Sequence, residues 1–210
     1  MKLGLICDVH EHIEHLQQAL DQFAVCAVDR IVAIGDLLET GERIDELCRR
    51  LAAAHVVGVW GNHDYGLCVD PETDTRAKCP SVVLDYMATL QPRMEIDGSY
   101  FAHVEPWLNP EDLLDLWYYE GPPDEPAKIA RIFGAVPHRV IFSGHYHRWL
   151  LATPDGIVEW RGLTRICLTA TRSFVVVGAL YDGRFATFDT QTLELVPFNL
   201  QATSATGGTP

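Results

Sequence analysis

Asp8, His10, Asp36, Asn62, His103, His145 and His147 are carboxylate, imidazole and amide groups, most of them placed just after apolar runs of the chain. Together they offer oxygen and nitrogen donors and no thiolate. Such a set suits Mn, Fe, Zn, Co or Ni better than soft Cu(I). Imidazole-rich sites are unusual for a purely Ca or Mg protein. Two divalent ions that share a carboxylate need a donor set of about this size. Gly61-Asn62-His63-Asp64 adds a second kind of chemistry. The amide oxygen of Asn62 can bind a hard metal, and His63 beside it can move a proton. Singly, these residues decide little. Asp8 could cap the helix that follows it. Gly-Asn is a common turn, and an isolated His103 reads better as a packed or surface histidine than as a ligand. His145-Tyr146-His147 says more, because an extended segment puts alternate side chains on one face. Their joint occurrence in this order points to metal chemistry. A zinc-protease helix is excluded, because Glu14 stands where His10-Glu11 would need its second histidine.

The elements that must position these groups follow a helix-strand rhythm. Residues 3–7 read as a strand ending in Asp8-Val9-His10, and residues 13–23 as an amphipathic helix with Ile13, Leu16, Leu20 and Phe23 on one face. Residues 30–34 form a second strand ending in Gly35-Asp36. Ile44, Leu47, Cys48 and Leu51 mark a second helix, and residues 55–60 form a third strand ending at the Asn-His-Asp motif. This β-α-β-α-β pattern implies parallel strands with crossover helices. Functional groups in such sheets gather at the carboxyl ends of strands, so Asp8, His10, Asp36, Asn62 and His63 should share one rim. Cys7 alternates to the opposite face, as core, and His12 and His15 are expected to face solvent from the first helix.

Residues 68–78 read as a polar loop beside the site and residues 82–90 as a helix. A hairpin around Asp97-Gly98 delivers His103. The acidic, aromatic segment 107–126, with Trp117-Tyr118-Tyr119, reads as an ordinary packed loop in preference to a substrate-facing lid. Residues 128–133 form a helix, and residues 139–143 a strand ending in Gly144-His145-Tyr146-His147. Short strands follow at 149–153, 166–170, 174–181 and 184–189, with Asp182-Gly183 as a hairpin signal between the last two. The second half is thus expected to be mainly antiparallel and to form a second sheet. One domain spans 1–200, and the small, polar tail 201–210 is expected to be disordered.

Composition narrows the function. An apolar fraction of 48% in 210 residues supports a core that needs no staples. The net charge of −13 opposes binding to a nucleic-acid backbone. The six cysteines include no Cys-x-x-Cys pair, which fits a reducing cytosol. The amino terminus enters a strand without a long apolar core or cleavage site, so no signal peptide is expected. No apolar run reaches the ~18 residues of a membrane span.

Asp-x-His, Gly-Asp, Gly-Asn-His-Asp, a lone His and Gly-His-x-His, in that order, resemble the signature of calcineurin-like metallophosphoesterases, in particular the small bacterial and archaeal phosphodiesterase branch. The resemblance covers roughly residues 1–190. It implies an α/β fold, a four-layer α/β/β/α sandwich of two mixed sheets flanked by helices. It implies that Asp8, His10 and His147 bind one metal, that Asn62, His103 and His145 bind another, and that Asp36 bridges both, with Mn as the favoured ion. His63 would be the general acid or transition-state stabiliser, oriented by Asp64. The implied activity is hydrolysis of a phosphodiester or phosphomonoester of a small soluble substrate, by attack of a metal-bound hydroxide. The alternative is a scaffold that kept the fold, lost the chemistry and binds a protein partner, as the retromer subunit of this fold does. The chain departs from the family pattern at Glu11 and Val104, where glycines are usual, and in lacking a visible Asn-Pro-Gly-Ser turn. Glu11 is expected to narrow the substrate space or add negative charge there. A dinucleoside polyphosphate or a phosphoprotein is a third substrate class, the polyphosphate being disfavoured by the acidic surface and the absence of an evident Arg-rich stripe, although Arg148 and Arg172 lie near possible site loops.

Overall fold

Uninterrupted apolar runs make strands that are covered on both faces, and this chain uses several of them to stack two sheets. The computed structural model describes residues 1–169 and 171–200. The expected tail 201–210 and the last residue of the expected strand 166–170 lie outside the described residues. The first half runs β1 (Lys2–Ile6), α1 (Ile13–Val25), β2 (Arg30–Ile34), α2 (Ile44–Ala53), β3 (Val57–Val59), α3 (Tyr65–Cys68), α4 (Thr73–Lys78), α5 (Ser81–Met87), β4 (Met94–Ile96) and β5 (Ser99–Phe101). The second half runs α6 (Leu113–Leu116), α7 (Pro126–Ala135), β6 (Val140–Ser143), β7 (Leu150–Thr153), β8 (Gly156–Val158), β9 (Ile166–Cys167), β10 (Ser173–Val176), a 3₁₀ turn (Leu180–Asp182), β11 (Arg184–Asp189) and β12 (Glu194–Asn199).

The two sheets have the orders β3-β2-β1-β11-β12-β9 and β4-β5-β6-β10-β7-β8. Strands β1, β2 and β3 are parallel, as the crossover rhythm requires. In the second sheet β5, β6 and β10 are parallel neighbours. Alternation assigns each face. Leu3, Leu5 and Cys7 face the other sheet, as do Val140, Phe142 and Val175, and these residues build the core between the sheets. Ile6 and Ala33 face α1, α2 and α5 on the outside. Ile141, Phe174 and Val176 face α7 on the other outer side. The four layers are therefore helix, sheet, sheet, helix, as the resemblance implied.

Several local expectations change. Asp182-Gly183 does not join two paired strands: the 3₁₀ turn carries the chain from β10 in one sheet to β11 in the other. The turn is tied to the end of β1, because Leu180 N donates to Cys7 O and Tyr181 N to Asp8 O. The second half is thus split between the sheets and is not wholly antiparallel. Residues 68–78 are not one loop but carry the end of α3 and all of α4. Strands β8 and β12 were not foreseen. Two-residue Asp97-Gly98, both with positive φ, does make the expected β4–β5 hairpin.

Two buried carboxylates hold the loops that follow β1, β2 and β3. Asp64 is fully buried and accepts from the N–H groups of Leu37, Leu38 and Gly61, each at 2.9 Å. Glu11 accepts from Glu39 N at 3.0 Å, Gly41 N at 2.6 Å and Arg43 N at 2.8 Å. Glu11 has φ +57, which is the conformation that favours glycine. Its carboxylate offsets that strain by bracing residues 39–43, and it does not project into the substrate space as expected. Val104 is buried in the outer core.

Two variants test these placements. Phe142 stacks on Phe101 at 5.1 Å and meets Phe188 of the other sheet at 5.0 Å. Phe142→Ala is expected to lower unfolding free energy by about 3–5 kcal/mol, read as a shifted urea midpoint with unchanged slope; an unmoved midpoint would show that this contact does not join the sheets. Glu11→Ala is expected to cost about 1–3 kcal/mol and to speed amide exchange at Glu39, Gly41 and Arg43. Unchanged exchange at those three amides would remove Glu11 from the brace.

Candidate metal centre

The ends of β1, β2, β3, β5 and β6 meet at one rim, and every residue singled out as a donor is there. Asp8 and His103 are fully buried, Asp36 and Asn62 nearly so, and His147 is the most open. The loops are tightly bent: Asp8, His10, Asp36, His145 and His147 all have positive φ. Gly35, with φ +83, precedes Asp36, and a Cβ there would run into the His103 imidazole. Only glycine lets that ring approach the β2 turn, where its Nδ1 lies 2.8 Å from Ile34 O.

The donors fall into two groups. In one, His10 Nε2 and His147 Nε2 are 3.1 Å apart, and His147 Nε2 is 3.5 Å from Asp8 Oδ1. In the other, Asn62 Oδ1 lies 3.1 Å from His103 Nε2 and 3.0 Å from His145 Nδ1, with Asp36 Oδ2 3.2 Å from His103 Nε2. Asp36 Oδ2 is also 3.9 Å from His10 Nε2, so this carboxylate lies between the groups. The sequence reading put His145 and His147 on one face of an extended segment. Instead, β6 stops at Ser143, and the bends at both histidines send one ring to each group.

These separations test whether cations fit. Ligands bound at about 2.0–2.2 Å to one ion stand about 3 Å from each other. The facing nitrogens and oxygens have that spacing. Two imidazole nitrogens aimed at each other repel through their lone pairs unless a proton or a cation sits between them. The donor set therefore fits divalent-cation binding.

Without a cation, Asp36 and His103 form a buried ion pair, and a metal at His103 would have to displace its proton. Burial works against ionising Asp36, but the His103 charge, its hydrogen bond and the His63 N–H hold Asp36 below the usual carboxylate range. Burial likewise opposes charge on His103, yet Asp36 raises it to about 10. Burial raises Asp8 to about 6, with the His103 charge opposing. Burial lowers His145 to about 4, which keeps its ring neutral and able to ligate at pH 7.

His63 sits at the mouth. Its backbone N–H donates to Asp36 Oδ1 at 3.0 Å, and its ring is 5.0 Å from that of His10. Asp64 does not orient the ring as expected, because its carboxylate is occupied by three backbone N–H groups. The carboxylate near the ring is Glu39, whose Oε2 is 3.9 Å from His63 Nδ1. Glu39 Oε2 also comes within 2.7 Å of His10 Nδ1, without the alignment of a hydrogen bond. Sequence reasoning missed Glu39, whose only signal is its place three residues after Asp36.

Other neighbours also differ from expectation. Cys7 is core, but its Sγ lies 2.8 Å from Asp8 Oδ2. The 107–126 segment is not the packed loop expected: Leu108, Pro110, Leu116 and Pro123 are buried but most of its residues are exposed, and exposed Trp117 stands 5.2 Å from the His63 ring and exposed Tyr119 6.2 Å from that of His145. His12 and His15 are half-buried and stacked at 3.7 Å, and His15 Nδ1 reaches Leu180 O at 2.9 Å. Arg172 is outside the site: its guanidinium caps the end of α7 at Phe133 O, Val136 O and His138 O.

Known proteins share the fold. No helix among the described residues is long and apolar enough to cross a membrane. No curated protein sequence matches the chain. A metallophosphoesterase from Sphaerobacter thermophilus superposes with TM-score 0.77 at 20% identity, covering 96% of this chain and 88% of that one. A novel archaeal phosphodiesterase gives 0.56 at 14% identity over 95% and 100% of the two chains. A putative diadenosine tetraphosphatase gives 0.59 at 18% identity over 94% and 93%. At these identities the likeness is one of fold. The sequence model for the calcineurin-like phosphoesterase superfamily domain matches residues 1–187, and the chain belongs to that superfamily.

Proposed function

We propose that the protein is a two-metal phosphoesterase acting on a phosphodiester or phosphomonoester of a small soluble molecule. The observation that carries this reading is the pair of facing donor groups on either side of Asp36, with His63 at the mouth. Asp8, His10 and His147 would hold one ion, Asn62, His103 and His145 the other, and Asp36 both. Bound there, the ions would supply Lewis acidity for the phosphoryl oxygens and lower the pKa of water, with Mn favoured.

The chain's own residues do the rest. Asp36 fixes His63 through its backbone N–H, so one residue spans the metal groups and the proton donor. His63 Nε2 or Nδ1, when protonated, neutralises the leaving oxygen as the ester bond breaks. Glu39 stands behind that ring, and Trp117 lies against it and limits water at the mouth. Asp64 acts on the backbone by joining the turns after β2 and β3.

Purified protein with Mn²⁺ is expected to hydrolyse bis-p-nitrophenyl phosphate or p-nitrophenyl phosphate; no turnover of any phosphoester with any first-row metal would refute the proposal. His63→Gln is expected to keep both metals while kcat on an alkyl ester falls by roughly 10²–10⁴-fold. Loss of an ion, or wild-type rates, would remove His63 from the proton-transfer role. Asp36→Asn replaces an anion between two cations with a neutral amide, so both affinities should fall together. Two ions retained at full affinity by metal analysis would contradict bridging.

A further inference from the structure

Three arginines far apart in sequence meet beside the donor groups. Arg148, Trp149, Arg161, Leu163, Arg184 and Asn199 line a cleft of about 390 Å³. No acidic residue lines it, although the chain carries a net charge of −13. Arg184 Nη1 donates to His147 O at 2.9 Å. His147 in turn lines a 210 Å³ opening with His10, Glu39 and Tyr181. The cationic cleft and the candidate metal centre are thus separated by one residue.

Two of the arginines have structural partners. Arg148 pairs with Asp124 at 3.1 Å and Arg184 with Asp182 at 3.3 Å. Arg161 forms no ion pair among the described residues, although it and Arg148 also border a neighbouring 300 Å³ cavity that Asp124 and Glu159 help to line. The segment that presents Arg161 is tightly held. Gly162 has φ +67 and lies so close to Trp149 that a Cβ would overlap the indole. Asn199 Nδ2 donates to Gly162 O at 2.9 Å, and Trp160 Nε1 donates to Thr164 O at 2.8 Å. The backbone that carries Arg161 is thus held in place, and its exposed guanidinium, with no ion-pair partner among the described residues, is open to an anionic ligand. Guanidinium groups pair with phosphate oxygens through two parallel hydrogen bonds. An acidic chain that must attract a phosphorylated molecule needs such a local reversal of its field.

We propose that this cleft holds a second phosphoryl group of the substrate, so that the enzyme acts on phosphoesters bearing a further phosphate beyond the scissile one. The proposal rests on the phosphoesterase reading above. It also revises the expectation that a missing Arg-rich stripe disfavours polyphosphorylated substrates, because folding assembles the cluster from three separate segments.

Two chromogenic esters that differ by one distal phosphate test it: thymidine 5′-p-nitrophenyl phosphate and its 3′-phosphorylated derivative, with the Mn²⁺-loaded enzyme. The wild type is expected to favour the 3′-phosphorylated ester by about tenfold or more in kcat/KM. Arg161→Ala should abolish that preference and leave the rate on the other ester unchanged, and Arg161→Lys should keep part of it. Arg165→Ala should change neither, since Arg165 is exposed outside the cleft and paired with Glu194. Equal kcat/KM for the two esters in the wild type, or a preference that survives in Arg161→Ala, overturns the inference and leaves the phosphoesterase reading standing. If neither ester is cleaved with any first-row metal, the phosphoesterase reading is decided by the nitrophenyl esters above, and titration of the metal-stripped protein with thymidine 3′,5′-bisphosphate decides the cleft. Affinity about tenfold weaker in Arg161→Ala supports an anion site there, and equal affinities overturn it.

Discussion

A buried, ionised Asp36 is the constraint around which this molecule is arranged. A carboxylate removed from water is costly unless it is paired and hydrogen-bonded. Here the stabilisation comes from four directions. The His103 imidazole faces one oxygen, the His63 amide donates to the other, His10 stands beyond, and the turn at Gly35 leaves room for the His103 ring. Each of those groups comes from a different strand end. The carboxylate therefore cannot be accommodated until both sheets are stacked and their rims are in register. Core packing and site assembly are one event: Phe101, Phe142 and Phe188 align the sheets, and the aligned sheets bring His103 and His145 over Asp36.

The site is also held under local strain. Five of the donor residues adopt positive φ, which costs on the order of 1 kcal/mol each for a residue with a Cβ. Such strain persists only where the surroundings over-determine the backbone. Asp64 and Glu11 supply that determination through buried carboxylates that accept backbone N–H groups from the loops after β2 and β3. Cations between the donors would relieve the repulsion among facing nitrogens, so metal binding and loop stability reinforce each other. The mouth of the site is less constrained. Trp117, Tyr119 and Glu39 are substantially exposed there, as suits groups that meet a substrate.

Much of this was legible from sequence because it depends on period and order. Strand β2 and the first residues of α1 and α2 follow from apolar spacing alone, and the parallel start follows from the crossover rhythm. The donor residues declare themselves because most of them follow an apolar run. What sequence did not show was contact between distant segments. Asp182-Gly183 has the chemistry of a hairpin, but the 3₁₀ turn before it binds the end of β1 and sends the chain to the other sheet. Asp64 is adjacent to His63 in sequence, yet the bend at the motif turns its carboxylate inward to the backbone, and Glu39 occupies the place beside the ring. Glu11 looked like an intrusion into the site, because nothing local reveals that three N–H groups across the β2 loop await it. Arg148, Arg161 and Arg184 show no stripe in one dimension.

Anomalous X-ray data from crystals grown with Mn²⁺ would test the two-ion reading most directly. Two manganese peaks are expected, one bounded by Asp8, His10 and His147 and the other by Asn62, His103 and His145, with an Asp36 oxygen between them. A single peak, or peaks that leave Asp36 outside their coordination, would contradict it.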